Sequence, residues 1–303
     1  GGLLGLEAAR GLMDQGMEVH VVHLLSSLMD QQLDASAARL LKKDLEKQGM
    51  QFLMEKQTTE IVGTEKVEGL KFSDGTSIEC DLVVMAVGIR PNVGLAREAG
   101  LEVNRAIIVD DFMRTSTPSI YAVGECAEHN GIAYGLVAPL YEQGNALADY
   151  LVGKTTEGYK GSMLSTQLKV SGCDLFSAGQ IHEDDDTDAI VVHDTAAKVY
   201  KKVLVKGNKI IGIVLYGDTS DGNRLFSMMK KGTDITEFTT ASILQKAGEE
   251  GNTNLVAEMS ADETVCGCNG VTKGNIVQAI LEQDLKTYDE VKKCTKAGGS
   301  CGK

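Results

Sequence analysis

Three prolines in 303 residues leave no room for a proline-rich linker. No stretch stays apolar for the roughly 20 residues that a membrane helix needs. The run from Leu82 to Val87 is among the longest, and it reads as a buried strand. No secretory leader is expected, because the first residue already stands in a glycine-rich motif. Basic charge is scarce: 30 Lys and Arg face 43 Asp and Glu, for a formal net charge of -13 and a pI near 4.9. That balance argues against nucleic acid and against an anionic membrane surface as partners, and suits small molecules or basic protein surfaces. His20, His23, His129, His182 and His193 show no H-x-x-x-H spacing, which leaves a zinc hydrolase little support. G-x-S-x-G and a P-loop lysine motif are missing too, against hydrolase and NTPase readings. No repeat with a period of about 20 to 50 residues runs through the chain.

What is present describes a globular chain with 43% hydrophobic residues, 24% charged residues and 34 glycines. At 32.3 kDa it exceeds one ordinary core, so two or three domains are expected. Residues 1–16 read as a turn entering a helix, with Leu6, Ala9, Leu12 and Met13 at helical spacing and Gly16 as the stop. Glu18 to Leu24 reads as a strand and Leu33 to Gln48 as a helix closed by Gly49, a β-α-β-α pattern entered after its first strand. Thr58 to Gly88 alternates as strands around Ser73-Asp74-Gly75 and ends in the apolar strand Asp81–Gly88. Ile107 to Val109 and Ile120 to Val123 follow as strands, then a helix from about Pro139 to Leu151. Lys198–Val205 and Lys209–Tyr216 form a hairpin, and Asp221–Lys231 and Thr240–Ala247 read as helices. Glu249 to Asp262 is a polar linker, and two short helical patterns fill the remainder.

Three constellations carry chemistry. Gly2 and Gly5 have the spacing of the second and third glycines of G-x-G-x-x-G, in which backbone approaches a pyrophosphate and helix packs on strand. The end of the next strand, where an acid would hold a ribose hydroxyl, is His23-Leu24-Leu25-Ser26-Ser27; with neither acid nor arginine there, NADH and NADPH both stay open. Thr115 to Glu125 ends a strand in Gly124 and a carboxylate, an arrangement suited to a polyol; the helix from Pro139 then offers free N–H groups. The seven cysteines are an odd count, and four fall after residue 265, which points to a metal site in a reducing compartment, not a disulfide framework. Cys266 and Cys268, with Cys294 and Cys301 downstream, supply four soft thiolates for an iron–sulfur cluster, with a zinc knuckle as the alternative.

Residues 1 to about 155 resemble the flavoprotein pyridine-nucleotide oxidoreductases, entered in mid-chain. That resemblance implies that Gly2, Leu3, Leu4, Gly5, Glu7, His23 and Gly88 line a nicotinamide nucleotide and that Gly124 and Glu125 hold FAD. It implies no catalytic side chain here, since the family's paired redox cysteines lie in the absent flavin half; Cys80, Cys126 and Cys173 read as buried thiols. The cysteine-rich end resembles the bacterioferritin-associated ferredoxin-like (BFD-like) [2Fe-2S] domains, which makes Cys266, Cys268 and Cys301 ligands. The fourth ligand would then follow Lys303, with Cys294 a bystander or a makeshift substitute.

The order of parts resembles the large subunits of NAD(P)H-dependent assimilatory nitrite reductases. It implies an α/β fold in four stretches: a Rossmann-like NAD(P)-binding domain at 1–104, the second half of a flavin domain at 105–155, a small α+β interface domain at 160–248 and a helical [2Fe-2S] module at 263–303. The implied function is electron entry from NAD(P)H through FAD and the cluster to a siroheme and [4Fe-4S] centre outside these residues. The partners it implies are a downstream siroheme region or a small subunit, and a second copy in a homodimer, in the cytoplasm. The rivals are an electron-transfer subunit of assimilatory nitrate reductase, a rubredoxin-type reductase, and a non-enzymatic zinc-holding or docking module.

Overall fold

A computed structural model of the chain describes residues 1–154, 157–170, 172–238, 243–244, 260–261, 264–266 and 269–299. The chain divides into two compact units, the first made of Gly1–Gly88 and Ser165–Glu250, the second of Ile89–Leu164 and Gly251–Lys303.

In the first unit, α1 (Leu3–Asp14) starts directly after Gly2 and buries Leu6 and Ala9; its stop, Gly16, has a φ of +83°. β1 (His20–Val22) is shorter than the run Glu18–Leu24. Asp34 caps α2 (Ala35–Lys47), which buries Ala37, Ala38, Leu41 and Leu45 at helical spacing. β2 (Gln51–Leu53) then pairs parallel with β1, His20 opposite Gln51. The parallel pairing joined by a helix is the expected β-α-β unit. β3 (Thr58–Val62), β4 (Gly69–Phe72) and β5 (Ser77–Glu79) form an antiparallel meander around the Ser73-Asp74-Gly75 turn.

The apolar strand expected over Asp81–Gly88 is not formed. These residues carry no strand pairing, and Leu82, Val84, Met85 and Val87 are exposed. β-propensity supplies an extended backbone, but a ladder needs a neighbour, and no described segment pairs with this one.

The rest of the unit is an antiparallel sheet in the order β11-β12-β13-β10-β9. Its strands are β9 (Ser165–Val170), β10 (Cys173–Gly179), β11 (Asp188–Asp194), β12 (Val199–Lys206) and β13 (Lys209–Tyr216). The β12–β13 hairpin turns through Gly207 and Asn208, both at positive φ, the geometry a tight right-twisted hairpin needs. Strand alternation sends neighbouring side chains to opposite faces. Leu168, Leu175, Tyr200, Val214 and Tyr216 pack with Leu6, Leu41 and Leu45 of α1 and α2. Phe176, Val203, Ile213 and Leu215 pack instead on Leu225 and Met229 of α5 (Gly222–Lys231). The expected hairpin and the first of the two expected helices are therefore present; the second, Thr240–Ala247, lies largely outside the described residues, as does most of the linker.

Two buried lysines stand side by side on β12. Lys202 reaches Asp34 at 3.3 Å and Glu183 at 2.9 Å. Lys201, on the opposite face, reaches Asp218 at 2.7 Å and Asp221 at 3.1 Å.

In the second unit, α3 (Gly94–Glu98) precedes β6 (Ile107–Val109), which pairs parallel with β7 (Ala127–His129); β8 (Ile132–Ala133) and α4 (Val137–Leu151) follow. The core gathers Ile107, Val109, Met113, Ala122, Ala127, Tyr134 and Tyr159. Buried His129 is held by Asp111 at 2.8 Å. The strand expected at Ile120–Val123 is also corrected: Tyr121 makes a single bridge to Arg114, and the ladder partner of β6 is β7. The cysteine-rich end pairs β14 (Thr264–Cys266) with β15 (Val271–Thr272) and adds α6 (Lys273–Gln283) and α7 (Tyr288–Thr295). Both helices begin with capping boxes, Thr272 with Asn275 and Thr287 with Glu290. No helix of the described residues is long and apolar enough to cross a membrane.

Candidate cofactor and cluster sites

The glycine fingerprint sits at the start of α1. A Cβ on Gly2 would meet nothing within 4 Å, whereas one on Gly5 would lie 3.3 Å from the Ala86 Cβ. The open side of Gly2 leaves backbone free for a phosphate, and the tight side of Gly5 brings α1 close to the segment ending at Gly88. A Cβ on Gly1 would clash with the His23 ring, 2.5 Å from Cγ, so the residue after β1 is packed on the fingerprint. The His23 Nε2 contacts the Ser27 carbonyl at 3.0 Å, and burial holds the imidazole below its ordinary pKa. Leu3 is half-buried, while Leu4 and Glu7 point to solvent.

Gly88 in the first unit and Gly124 in the second share a φ of +97°, which strains any L side chain, and neither has an atom within 4 Å of where a Cβ would stand. Glu125 follows Gly124 as an exposed carboxylate. The turn is held from behind by Gln143 on α4, a fully buried side chain whose Oε1 accepts the Gly124 N–H at 2.9 Å. Its Nε2 is buried and finds no acceptor among the described residues. Gln143 has no role legible in the sequence; a glutamine about two turns into a helix carries no signal until the loop it clamps is known.

An orphaned buried donor behind an open, glycine-lined turn that ends in a carboxylate fits a polyol-bearing flavin nucleotide, as the open Gly2 edge fits a pyrophosphate. Cys80 and Cys126 are half-buried, and Cys173 alone of the three is fully buried. Burial raises the Cys173 thiol pKa, and it has no cysteine partner.

At the cysteine-rich end, Cys266 closes β14 and is buried. Its Sγ accepts the Gly298 N–H at 3.3 Å and lies 3.9 Å from the Asn269 Nδ2. Cys294 is exposed on α7. Cys268 and Cys301 lie outside the described residues, and no group of three metal-binding side chains forms among those that are described. A recess of about 400 Å³ beside the site is lined by Lys292, Lys293 and Lys296 against one carboxylate, Asp289. A buried sulfur facing two N–H donors, with a lysine-lined recess beside Asn269, fits an anionic thiolate-bound cluster.

The fold and these sites describe an α/β chain with a glycine-rich helix start of the nucleotide-binding kind and a cysteine-rich module at its end. Residues 1–144 match the model described as pyridine nucleotide-disulphide oxidoreductase, 165–233 the rubredoxin NAD+ reductase C-terminal domain and 264–303 the BFD-like [2Fe-2S] binding domain. Its first 144 residues are similar to the pyridine nucleotide-disulphide oxidoreductases. The chain is 61% identical over 302 residues to the nitrite reductase [NAD(P)H] of Bacillus subtilis (strain 168), covering 100% of this chain and 38% of that protein. The assimilatory nitrate reductase electron transfer subunit of the same organism is 52% identical over 303 residues, with coverage of 99% and 38%. Among solved structures, the ferredoxin reductase for the CYP199A2 system from Rhodopseudomonas palustris superposes with a TM-score of 0.66 at 26% identity, over 79% of this chain and 62% of that one. The chain thus spans well under half the length of the curated relatives it matches.

Proposed function

We propose that this chain is the electron-entry part of an NAD(P)H-dependent nitrite reductase. The observation that carries the reading is the 61% identity sustained along the whole chain, through all three matched parts in one order. FAD supplies conversion of a two-electron hydride into single electrons, and a [2Fe-2S] cluster supplies their one-electron carriage.

The residues do the binding and shaping. Gly2 and Gly5 bring backbone N–H groups of α1 to the nicotinamide nucleotide pyrophosphate, with Leu3, Leu4, Glu7, His23 and Gly88 around it. Gly124 and Glu125 take the polyol and pyrophosphate part of FAD, on a turn that Gln143 keeps in shape. Cys266, Cys268 and Cys301 ligate the cluster, and Cys294 is the reserve fourth thiol. The electron acceptor in this reading would be a siroheme and [4Fe-4S] region of the longer protein, or a small subunit.

The 52% identity to an assimilatory nitrate reductase electron transfer subunit favours a second reading, in which the acceptor is a separate nitrate-reducing subunit. The full-length protein decides between them. Siroheme absorbance with nitrite-dependent NAD(P)H oxidation yielding ammonium supports the first reading; flavin and iron–sulfur signals without siroheme or nitrite turnover overturn it in favour of the second.

A further inference from the structure

We propose that Asn269 and the Gly298 N–H form a clasp on the Cys266 sulfur that raises the reduction potential of the [2Fe-2S] cluster and seats the segment leading to Cys301. The inference rests on the cluster reading given under Proposed function. Asn269 follows the first cysteine pair, and its carboxamide nitrogen carries two hydrogens. It donates to the Lys296 carbonyl at 2.7 Å and stands 3.9 Å from the Cys266 Sγ. One side chain therefore ties the hairpin that bears Cys266 to the turn that ends α7.

That turn is shaped to meet it. Lys296 and Gly298 adopt left-handed φ values of +62° and +68°. The Lys296 carbonyl accepts the Gly299 N–H at 2.9 Å as well as Asn269, while the Lys296 N–H bonds back to Lys292 at 2.8 Å. Reversed in this way, the backbone delivers the Gly298 N–H to the Cys266 sulfur at 3.3 Å. The hairpin that bears Cys266 and the Lys296–Gly299 turn, far apart in sequence, are thus joined by direct protein–protein bonds.

An N–H aimed at a ligand sulfur withdraws electron density from it. It stabilises the reduced cluster, which carries one more negative charge, and so raises the potential. Asn269 is a positioning residue in this scheme, acting through Cys266 and not on the electron's path.

The test is a redox titration of the full-length protein, followed by the paramagnetic signal of the reduced [2Fe-2S] cluster. Asn269→Ala removes the side-chain donor; Asn269→Asp keeps the shape but sets an acceptor with negative charge beside the sulfur. Both are expected to make the cluster harder to reduce, by about fivefold to tenfold in the one-electron equilibrium constant, where tenfold is about 59 mV. Asn269→Asp should move further than Asn269→Ala. If either variant assembles poorly, reconstitution with iron and sulfide under reducing conditions supplies a loaded fraction for the same titration. Loaded variants whose midpoints match the unsubstituted protein overturn the clasp while leaving the cluster reading intact. Zinc without acid-labile sulfide in the unsubstituted protein overturns the cluster reading itself, and the clasp with it.

Discussion

Replacing Asp34 by alanine removes three interactions at once. Its Oδ1 caps α2 by accepting the Ala37 N–H at 3.0 Å, while Oδ2 accepts the Tyr200 hydroxyl at 2.6 Å and the Lys202 ammonium at 3.3 Å. The lost cap costs about 1 kcal/mol. Tyr200 would keep a buried hydroxyl without this acceptor, and Lys202 would be left with exposed Glu183 and the Ile181 carbonyl at 3.4 Å. Breaking a buried ion pair from one side costs about 3 to 5 kcal/mol. These losses overlap, so about 3 to 5 kcal/mol is expected in total, a large share of a typical stability of about 5 to 15 kcal/mol.

Asp34→Asn can keep the cap but turns an amide towards Lys202, and should cost about 2 to 3 kcal/mol. Urea unfolding followed by far-UV circular dichroism reads both, and the fluorescence of the eight tyrosines gives a second probe in a chain without tryptophan. The pH dependence follows with a definite sign. Burial pushes the Asp34 carboxyl up, but the Ala37 N–H, the Tyr200 hydroxyl and Lys202 outweigh it and hold the pKa below its ordinary value. A depressed folded pKa means that the contribution is complete above the unfolded value of about 3.9 and drains away as pH falls through the folded value. Asp34→Asn should flatten that acid limb. An Asp34→Ala variant that loses less than about 1 kcal/mol, or Asp34→Asn and Lys202→Met losses that add to within about 0.5 kcal/mol, would refute the reasoning.

Three further outcomes follow from the sites. Gly5→Val should weaken nicotinamide nucleotide binding more than Gly5→Ala, because an added Cβ would already stand 3.3 Å from the Ala86 Cβ and two further methyls enlarge the group at that contact; equilibrium titration with NADH and NADPH measures both. Cys266→Ser should abolish iron and acid-labile sulfide in the full-length protein, whereas Cys294→Ser, altering an exposed thiol, should leave both near the unsubstituted level; equal loss in the two would make Cys294 an obligate ligand. Purified alone, the 303-residue chain should hold FAD well below one equivalent, because the segment leading to Gly124 and Glu125 makes only the single Tyr121–Arg114 bridge among the described residues; stoichiometric flavin absorbance would contradict this.

Local signals in the sequence translated well into local structure. Leu40, Leu41 and Leu45 at helical spacing before Gly49 read as a helix over Leu33–Gln48, and α2 (Ala35–Lys47) lies within two residues of that at each end. The Gly207-Asn208 turn between two β-branched runs announced the β12–β13 hairpin in the same way. What was not readable depends on residues distant in sequence. Nothing in Lys201-Lys202 says that both ammonium groups are buried, because that follows from Asp34 and Asp218 arriving on opposite faces of the sheet. Gln143 behind Gly124, and Gly298 beside Cys266, are contacts across 19 and 32 positions and have no short-range signature.

The two misread strands make the same point from the other side. Asp81–Gly88 and Ile120–Val123 have the composition of buried strands, each ends at a glycine with a φ of +97°, and neither forms a ladder. A glycine in that conformation turns the backbone away from the strand axis at once, which is of use only where something else takes the space next to the turn. The two segments thus keep the terminal geometry of ligand-edge strands while lacking strand neighbours. The turn is encoded locally by glycine, whereas the ladder is a property of two segments together. It follows that the turns at Gly88 and Gly124 are more firmly specified by this sequence than any ladder for the segments that lead into them.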